Sequence, residues 1–191
     1  ITHGNSAATL VAGGVFANLG NAQDATHPVA TTRRFYYAPD VALARPRGQA
    51  AYLALNIGSG YRASPLNEQV EDRFYSLRDY GLFTKRTQAE YNAWTPLTDG
   101  GLLDVSTDVA PTLPSGSVGW KIALPRSGEK VLAEPRTFGN VIYFPTFTPD
   151  VSGAAASCTP RQGTNRLFAV NLFDGSPSNN RDAGVTPVPA D

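Results

Sequence analysis

The sequence predicts an all-β protein, and three observations support that fold class. Glycine and proline are abundant, at 18 and 15 of 191 residues, whereas charged residues make up 17% of the chain, below the ~25% of ordinary soluble domains. Short apolar runs, several with the two-residue alternation of sheets, are separated by turns rich in glycine, proline and aspartate. A single segment, residues 85–94, has a helix-forming composition. We therefore expect short strands with one short helical insertion.

The clearest strands lie within residues 50–79. Residues 50–58 are too apolar for a half-exposed strand, and residues 73–78 alternate in the period of a sheet. Further strands are predicted within residues 7–19 and at 33–38, 40–44, 100–105, 120–124, 130–133, 141–147 and 166–173. Residues 46–48 and 125–128 are predicted hairpin turns, and Pro145 suggests an edge strand or a bulge. Thr84 is the predicted helix cap, and Pro96 ends the helix.

Residues 58–63 fit the dinucleotide-binding pattern G-x-G-x-x-A after a strand. That motif requires a helix to follow at once, because the pyrophosphate sits on the helix N-terminus. Here Pro65 follows and disfavours helical geometry in the residue before it. We therefore interpret Gly58 and Gly60 as residues of a tight corner. The acidic trio Glu68, Glu71 and Asp72 after this corner is interpreted as a solvated face.

Composition also limits the classes of partner. Lysine plus arginine equals aspartate plus glutamate, at 16 each, so no net charge favours nucleic acid or an anionic membrane. No apolar run approaches the ~20 residues of a membrane span. The chain has room for one domain, or for part of a larger one. Because it contains no methionine, we expect a piece of a longer protein.

Four segments resemble one another, each with an aromatic residue, a small or polar residue and then an aliphatic one. They are residues 15–20, 74–79, 120–124 and 167–172. Their spacing, roughly 45 residues with one longer interval, is typical of propeller blades. This predicts a partial β-propeller of about three to four blades, within a ring that needs about 4–8. The remaining blades would come from a missing N-terminal part or from a second chain. Residues 1–175 would form the propeller segment, and residues 176–191 a flexible tail.

Several ordered motifs resemble the PilC/PilY family of type IV pilus-associated proteins, in their C-terminal β-propeller. They are RFYYAPDV at 34–41, LALNIGSGYRASPL and DRFYSLRD within 52–79, Gly119–Trp120, GEKVLAEPRTFGNVIYFPTFTP at 128–149, and GTNRLFAVNL at 163–172, with Cys158 between the last two. The resemblance implies an exported protein at the pilus tip, cell surface or outer membrane. It also implies roles in pilus assembly, twitching motility and adhesion, with minor pilins and a host or surface receptor as partners. We expect binding surfaces and no enzymatic activity.

The same resemblance implies a calcium loop of the form D-x-[DN]-x-[DN]-G, which suits a hard cation. Two oxygen-rich clusters lack that alternation and are interpreted as turns. They are Asp99–Gly101 with Asp104 and Asp108, and Asp174–Gly175 with Asn179, Asn180 and Asp182. We therefore predict no metal, cofactor or catalytic residue in this segment, and place the expected calcium site upstream of Ile1.

Two alternatives remain open. A quinone-dependent propeller oxidoreductase would also use Trp120 for blade docking, but the single Cys158 cannot supply a vicinal cysteine pair. That cysteine is either a small buried hydrophobe or bonded to missing sequence, and His3 and His27 lie far from it. A glycan-binding module is the second alternative. It would stack sugars on aromatic residues that we instead expect to find mostly in the core, namely Phe35, Tyr36, Tyr37, Tyr143, Phe144 and Phe147.

Overall fold

The computed structural model describes residues 11–21, 26, 28–81, 84–150 and 163–178. These residues form an all-β fold with one short helix, as predicted. The strands are β1 (Ala17–Asn18), β2 (Asp40–Ala44), β3 (Tyr52–Gly58), β4 (Arg73–Asp79), β5 (Leu97–Thr98), β6 (Leu103–Asp104), β7 (Gly119–Ala123), β8 (Lys130–Val131), β9 (Arg136–Phe138), β10 (Val141–Thr148) and β11 (Thr164–Asn171). The helix α1 spans Gln88–Ala93, and 3-10 turns span Val29–Thr31 and Asp99–Gly101.

Five strands form a central sheet in the order β2-β3-β4-β7-β6. The first four are antiparallel neighbours in chain order, and β6 adds to β7 in parallel. The hairpin between β2 and β3 turns at the predicted residues 46–48, where Gln49 donates to the Pro46 carbonyl and Gly48 has a φ of 74°. A glycine tolerates that left-handed geometry because it has no Cβ.

The second sheet, called the C-terminal sheet, has β10 at its centre. On one side β10 pairs with β11 over its full length, and on the other it pairs with both β8 and β9. The break between β8 and β9 lies opposite Phe144 and Pro145, where proline offers no backbone donor. Pro145 was predicted to mark an edge strand or a bulge. The edge is wrong, because β10 is paired on both sides, and the irregularity lies in the partner strand, where residues 132–135 are opposite Phe144 and Pro145. Residues 176–178 extend the pairing of β11.

The two sheets pack face to face through a largely aromatic core. The rings of Phe74 and Phe144 stack with centroids 3.8 Å apart, and those of Phe144 and Phe168 with centroids 4.8 Å apart. Trp120 is fully buried beside them, and its Nε1 donates to the Leu172 carbonyl at 3.4 Å. Burial of large rings supplies much of the stability of such an interface.

A small parallel sheet of β1 and β5 covers part of the opposite face of the central sheet. The helix begins after Thr87, which forms a capping box with Glu90. The predicted cap, Thr84, is therefore wrong, since it lacks an acidic residue three positions later that could complete a capping box. Trp94 ends the helix and stacks on Phe16 at 5.8 Å.

Two local predictions fail for physical reasons. Residues 33–38 form no strand, because isolated contacts rather than a ladder hold them. The Arg34 carbonyl accepts from the Gly60 N–H and the Nε of Arg33 donates to the Glu71 carbonyl. The guanidinium of Arg34 also lies 3.9 Å from the centre of the Tyr61 ring. The turn at residues 125–128 is no hairpin, since it leads from β7 in one sheet to β8 in the other.

The repeat that predicted three to four blades is not a blade repeat. Residues 74–79 lie in β4 and residues 120–124 overlap β7, and these two strands are direct neighbours in the central sheet. Equivalent strands of successive blades would lie in different sheets. The similar segments therefore reflect the common pattern of buried strands and not four copies of one unit. Among the described residues, no helix has the length and apolar character needed to span a membrane.

Candidate functional site

The most distinctive polar cluster lies on the face of the central sheet away from the C-terminal sheet. Its centre is Asp99, which opens a 3-10 turn after β5. One carboxylate oxygen accepts from Arg73 at 2.6 Å and from Lys121 at 2.8 Å. The other accepts from the Tyr75 hydroxyl at 2.8 Å and lies 3.6 Å from a guanidinium nitrogen of Arg33.

The sheet brings these side chains together. Tyr75 in β4 is directly opposite Lys121 in β7, and Arg73 lies two residues before Tyr75, so all three point to the same face. Lys121 also donates to the Asp99 backbone carbonyl at 2.7 Å. Asp99 lies in the segment that connects β4 to β7. The cluster therefore attaches this segment to the central sheet.

Cations outnumber carboxylates around Asp99. Burial would raise the pKa of Asp99, but hydrogen bonds from Lys121 and Tyr75 and the charges of Arg73 and Arg33 outweigh it and lower the pKa to about 2. Asp99 is thus ionised at neutral pH, and burial raises the pKa of Tyr75, which stays neutral. Three cations surround one carboxylate.

A fifth charged group, Glu71, compensates weakly. Glu71 lies 4.0 Å from Arg73, but its side chain is 69% exposed, so water screens its charge. By contrast the side chains of Arg33, Arg73 and Lys121 are 3%, 18% and 10% exposed. The charge of Arg33 also acts on the buried carboxyl of Asp72, so Asp99 and Glu71 are not the only acidic groups near these cations.

A pocket of about 300 Å³ opens beside this cluster. Besides Arg33, Arg73 and Asp99, its lining is mostly neutral and polar: Asn18, Leu19, Asn21, Thr31, Thr98 and Gly100. Amide, hydroxyl and guanidinium groups can donate several hydrogen bonds to one anion. We call this the Asp99 pocket.

An apolar groove of about 470 Å³ continues from the Asp99 pocket, with which it shares Asn18, Leu19 and Arg33. It runs over the same face of the central sheet. Its other lining residues are Phe16, Ala17, Gly20, Phe35, Pro39, Leu55, Ile57 and Leu77. The face therefore combines an apolar floor with a cationic end.

The structure separates the acidic trio that was interpreted as a solvated face. Glu68 and Glu71 are exposed, but Asp72 is 2% exposed and accepts from the Ser59 hydroxyl at 2.7 Å. Burial raises the pKa of Asp72, although this hydrogen bond and the charge of Lys130 oppose the shift. The ammonium of Lys130 is itself held by the carbonyls of Pro65, Asn67 and Gly128. These contacts fix the 59–72 excursion, so Asp72 is a structural residue.

The glycine motif at residues 58–63 is followed by turns and not by a helix. Gly58 and Gly60 do not have positive φ. A Cβ on Gly58 would lie 2.4 Å from the Val131 side chain, and one on Gly60 would lie 2.4 Å from the Val131 carbonyl oxygen. These glycines thus permit close approach of β8, whereas the sequence suggested that they only turn the chain.

The two oxygen-rich clusters behave differently from metal loops as far as the structure describes them. Asp99 is surrounded by cations, and one oxygen each of Asp104 and Asp108 accepts the backbone N–H two residues later. Asp174 likewise accepts from Ser176, while Asn179, Asn180 and Asp182 lie outside the described residues. Within the described ranges, no group of three or more His, Cys, Asp or Glu residues could hold a metal ion.

Other residues considered from the sequence divide between core and surface. Phe144 is fully buried, and Phe35, Tyr37 and Phe147 are half-buried, whereas Tyr36 and Tyr143 are exposed. His3, His27 and Cys158 lie outside the described residues.

Sequence reasoning missed the Asp99 pocket. Asp99 was interpreted as a turn former and Arg33 as part of a strand. The alternation of Arg73 and Tyr75 on β4 indicated a common face, but the register that places Lys121 beside them could not be read from the sequence.

Comparisons with family models, with curated proteins and with solved structures found no match. The fold and the candidate site therefore define the class by themselves: an all-β protein of stacked sheets, with a groove that is apolar along its floor and cationic at one end.

Proposed function

We propose that the two stacked sheets are successive blades of an incomplete β-propeller, and that the chain is part of a pilus-associated protein of PilC/PilY type. It would act outside the cell through binding surfaces and without enzymatic chemistry. Its partners would be the remaining blades, minor pilins at the pilus tip and a host or surface receptor. The ordered motifs within residues 34–172 that resemble this family support the proposal.

The observation that carries the proposal is the stacking of two consecutive sheets. Strands β2, β3, β4 and β7 form an antiparallel meander in chain order, and β8 with β9, then β10, then β11 form the next one. Propeller blades are such meanders, packed face to face around an axis.

The outer face of the C-terminal sheet supports the same proposal. Phe138, Tyr143 and Leu167 project from this face and are 81%, 37% and 56% exposed. A further blade packed there would remove these side chains from water, which is favourable.

The first test concerns association. Residues 1–191 expressed alone should form oligomers in sedimentation velocity experiments, through this exposed sheet face. The double variant Phe138→Ser and Leu167→Ser should sediment as a smaller species with unchanged circular dichroism. The control Val109→Ser changes an exposed loop residue and should leave the oligomers intact. A monomeric wild-type protein that unfolds in one sharp transition would contradict the proposal.

The second test concerns function in the cell that encodes the chain. An in-frame deletion of residues 11–178 should reduce surface pili and twitching motility, and the full-length gene supplied in trans should restore both. Surface labelling should detect the protein in the pilus fraction. Normal piliation and motility in the deletion strain would argue against the assignment.

A further inference from the structure

A separate pocket of about 230 Å³ opens at one end of the two stacked sheets, and we call it the Arg78 pocket. Its walls come from the turn between β2 and β3, the start of β3, the end of β4, and residues 111–113 and 173–174. Neighbouring blades of a propeller pack on the faces of such sheets. A pocket at the strand ends therefore stays accessible in the complete ring.

Arg78 is a buried cation without a carboxylate partner. It lies opposite Ala54 in the register of β3 and β4, on the face toward the C-terminal sheet, and is 6% exposed. Its Nη2 donates to the Phe173 carbonyl, and its Nη1 donates to the Tyr80 hydroxyl at 3.4 Å. In the part of the chain that the structure describes, Arg78 forms no salt bridge. Arginine is seldom buried unless paired, and Nη1 has an N–H left for a ligand.

Asp174 is the acidic group of the Arg78 pocket. One of its oxygens accepts from both the N–H and the hydroxyl of Ser176, which leaves the other oxygen for a ligand as far as the described residues go. Burial raises the pKa of the Tyr52 phenol; the charge of Arg78 lowers it, and Tyr80 and Asp174 raise it. Both charges therefore act at the same place without forming an ion pair. The pocket thus has a positive and a negative group on separate walls.

This arrangement favours a neutral ligand. A simple anion would be repelled by Asp174, and a simple cation by Arg78. Two exposed residues at the rim, Gln49 and Thr112, carry neutral groups that both donate and accept hydrogen bonds, and Pro46 adds apolar surface. A ring with several hydroxyls and an apolar C–H face matches this lining.

We propose that the Arg78 pocket binds one neutral sugar unit of a glycan. One hydroxyl of the sugar accepts from Arg78, and a neighbouring hydroxyl donates to the second oxygen of Asp174. Other hydroxyls exchange hydrogen bonds with Gln49 and Thr112, and the C–H face packs on Pro46. The inference rests on the proposed surface-acting function and names the chemistry of its receptor.

The volume of the pocket fits a single sugar unit. A water molecule occupies about 30 Å³ in the liquid, so about seven waters would fill the 230 Å³ of the pocket. Sites for drug-sized ligands have about 300–1,000 Å³. The pocket is therefore suited to the terminal unit of a glycan and not to an oligosaccharide.

The test is saturation-transfer NMR on residues 1–191, a method suited to weak ligands and large assemblies. The probes are the methyl glycosides of glucose, galactose, mannose, fucose and N-acetylglucosamine. At least one should bind wild type with a dissociation constant of about 1–10 mM. Asp174→Asn should weaken its binding about tenfold, because a neutral acceptor replaces a charged one while the oxygen that holds Ser176 is kept. Thr112→Val should weaken it about twofold to tenfold, because one neutral hydrogen bond is lost.

The matched control is Asp108→Asn. Asp108 is also a loop aspartate that accepts the backbone N–H two residues later, but it does not line the pocket. This variant should bind the sugar as wild type does. Absence of saturation transfer to every glycoside would overturn the proposal, as would equal affinity in Asp174→Asn and wild type. Saturation transfer to free alanine but to no glycoside would also overturn it and would assign the pocket to a zwitterion.

This result is separable from the pilus assignment. If no glycoside binds while the deletion strain loses its pili, the sugar proposal fails and the function stands. If a glycoside binds through Asp174 and piliation is normal, the pocket is a saccharide site in a protein of another class.

Discussion

The structure contains two ionic clusters that differ in balance and in exposure. Glu129, directly before β8, and Arg166 in β11 form a buried pair, with side chains 0% and 5% exposed and atoms 3.4 Å apart. Glu129 also accepts from the Thr146 hydroxyl at 2.6 Å. Asp99 instead faces three cations at the edge of an open pocket. The comparison indicates that the first cluster is complete as it stands, whereas the second has capacity for another anion.

The Glu129–Arg166 pair and the Asp99 cluster also differ in their surroundings. Arg166 lies over the ring of Phe168, 4.9 Å from its centroid, at the end of the aromatic stack. The Glu129 pair is thus part of the interface between sheets, where water is excluded. The Asp99 cluster lies on the opposite face of the central sheet, beside the groove. One face of the central sheet therefore packs on the C-terminal sheet, and the other carries the Asp99 cluster.

The largest expected effect on the free energy of unfolding comes from breaking the buried Glu129–Arg166 pair. Glu129→Gln should destabilise the protein by about 3–5 kcal/mol, because it removes the buried carboxylate that pairs with Arg166 and accepts from Thr146. The measurement is urea denaturation followed by tryptophan fluorescence. The control Glu134→Gln, in an exposed pair, should change stability by less than about 0.5 kcal/mol. Equal effects of the two substitutions would show that the Glu129 pair is not closed to solvent.

A smaller effect on the free energy of unfolding is expected at the Asp99 cluster. Asp99→Asn should cost about 1–3 kcal/mol, because it removes the counter-charge of three cations and weakens their hydrogen bonds. The cost is lower than for Glu129 because the Asp99 side chain is 27% exposed and water partly compensates. The same urea experiment measures it, and a loss larger than that of Glu129→Gln would reverse the proposed ranking.

The pH dependence of the open cluster has a defined sign. The pKa of Asp99 is lowered from 3.8 to about 2 by folding, so its ionised form stabilises the folded state above pH ~4. This contribution is lost as the pH falls from ~4 toward ~2. The stability difference between wild type and Asp99→Asn should therefore be constant from pH 5 to 7 and shrink below pH 4. A difference that grows on acidification would contradict the assigned pKa shift.

The sequence predicted the regular parts of the fold better than the site. Strands β2, β3, β4, β7, β10 and β11 lie within about two residues of their predicted bounds, because each combines apolar residues with clear flanking turns. Residues 33–38 have similar composition but are held by Arg33 and Arg34, which propensity does not describe. The similarity between segments led to a wrong prediction of blades, since buried strands share a pattern of residues without being repeats of one unit.

The Asp99 cluster could not be predicted, for a related reason. It joins Arg33, Arg73, Asp99 and Lys121 from four separate stretches of the chain. Their proximity depends on the register of β4 with β7 and on the path of the intervening excursion. Local patterns determine which face of a strand a side chain occupies, but not which distant side chain lies beside it.

The most direct test of the difference between the two clusters is a thermal unfolding titration with sodium sulfate, with ionic strength held constant by sodium chloride. Sulfate serves here as a small anion that can enter the Asp99 pocket. At about ten times its dissociation constant it should raise the Tm of wild type by about 3–6 °C, saturably. Arg73→Gln should lose this rise. A wild-type Tm that is unaffected by sulfate, or an equal rise in Arg73→Gln, would contradict an open anion site at Asp99.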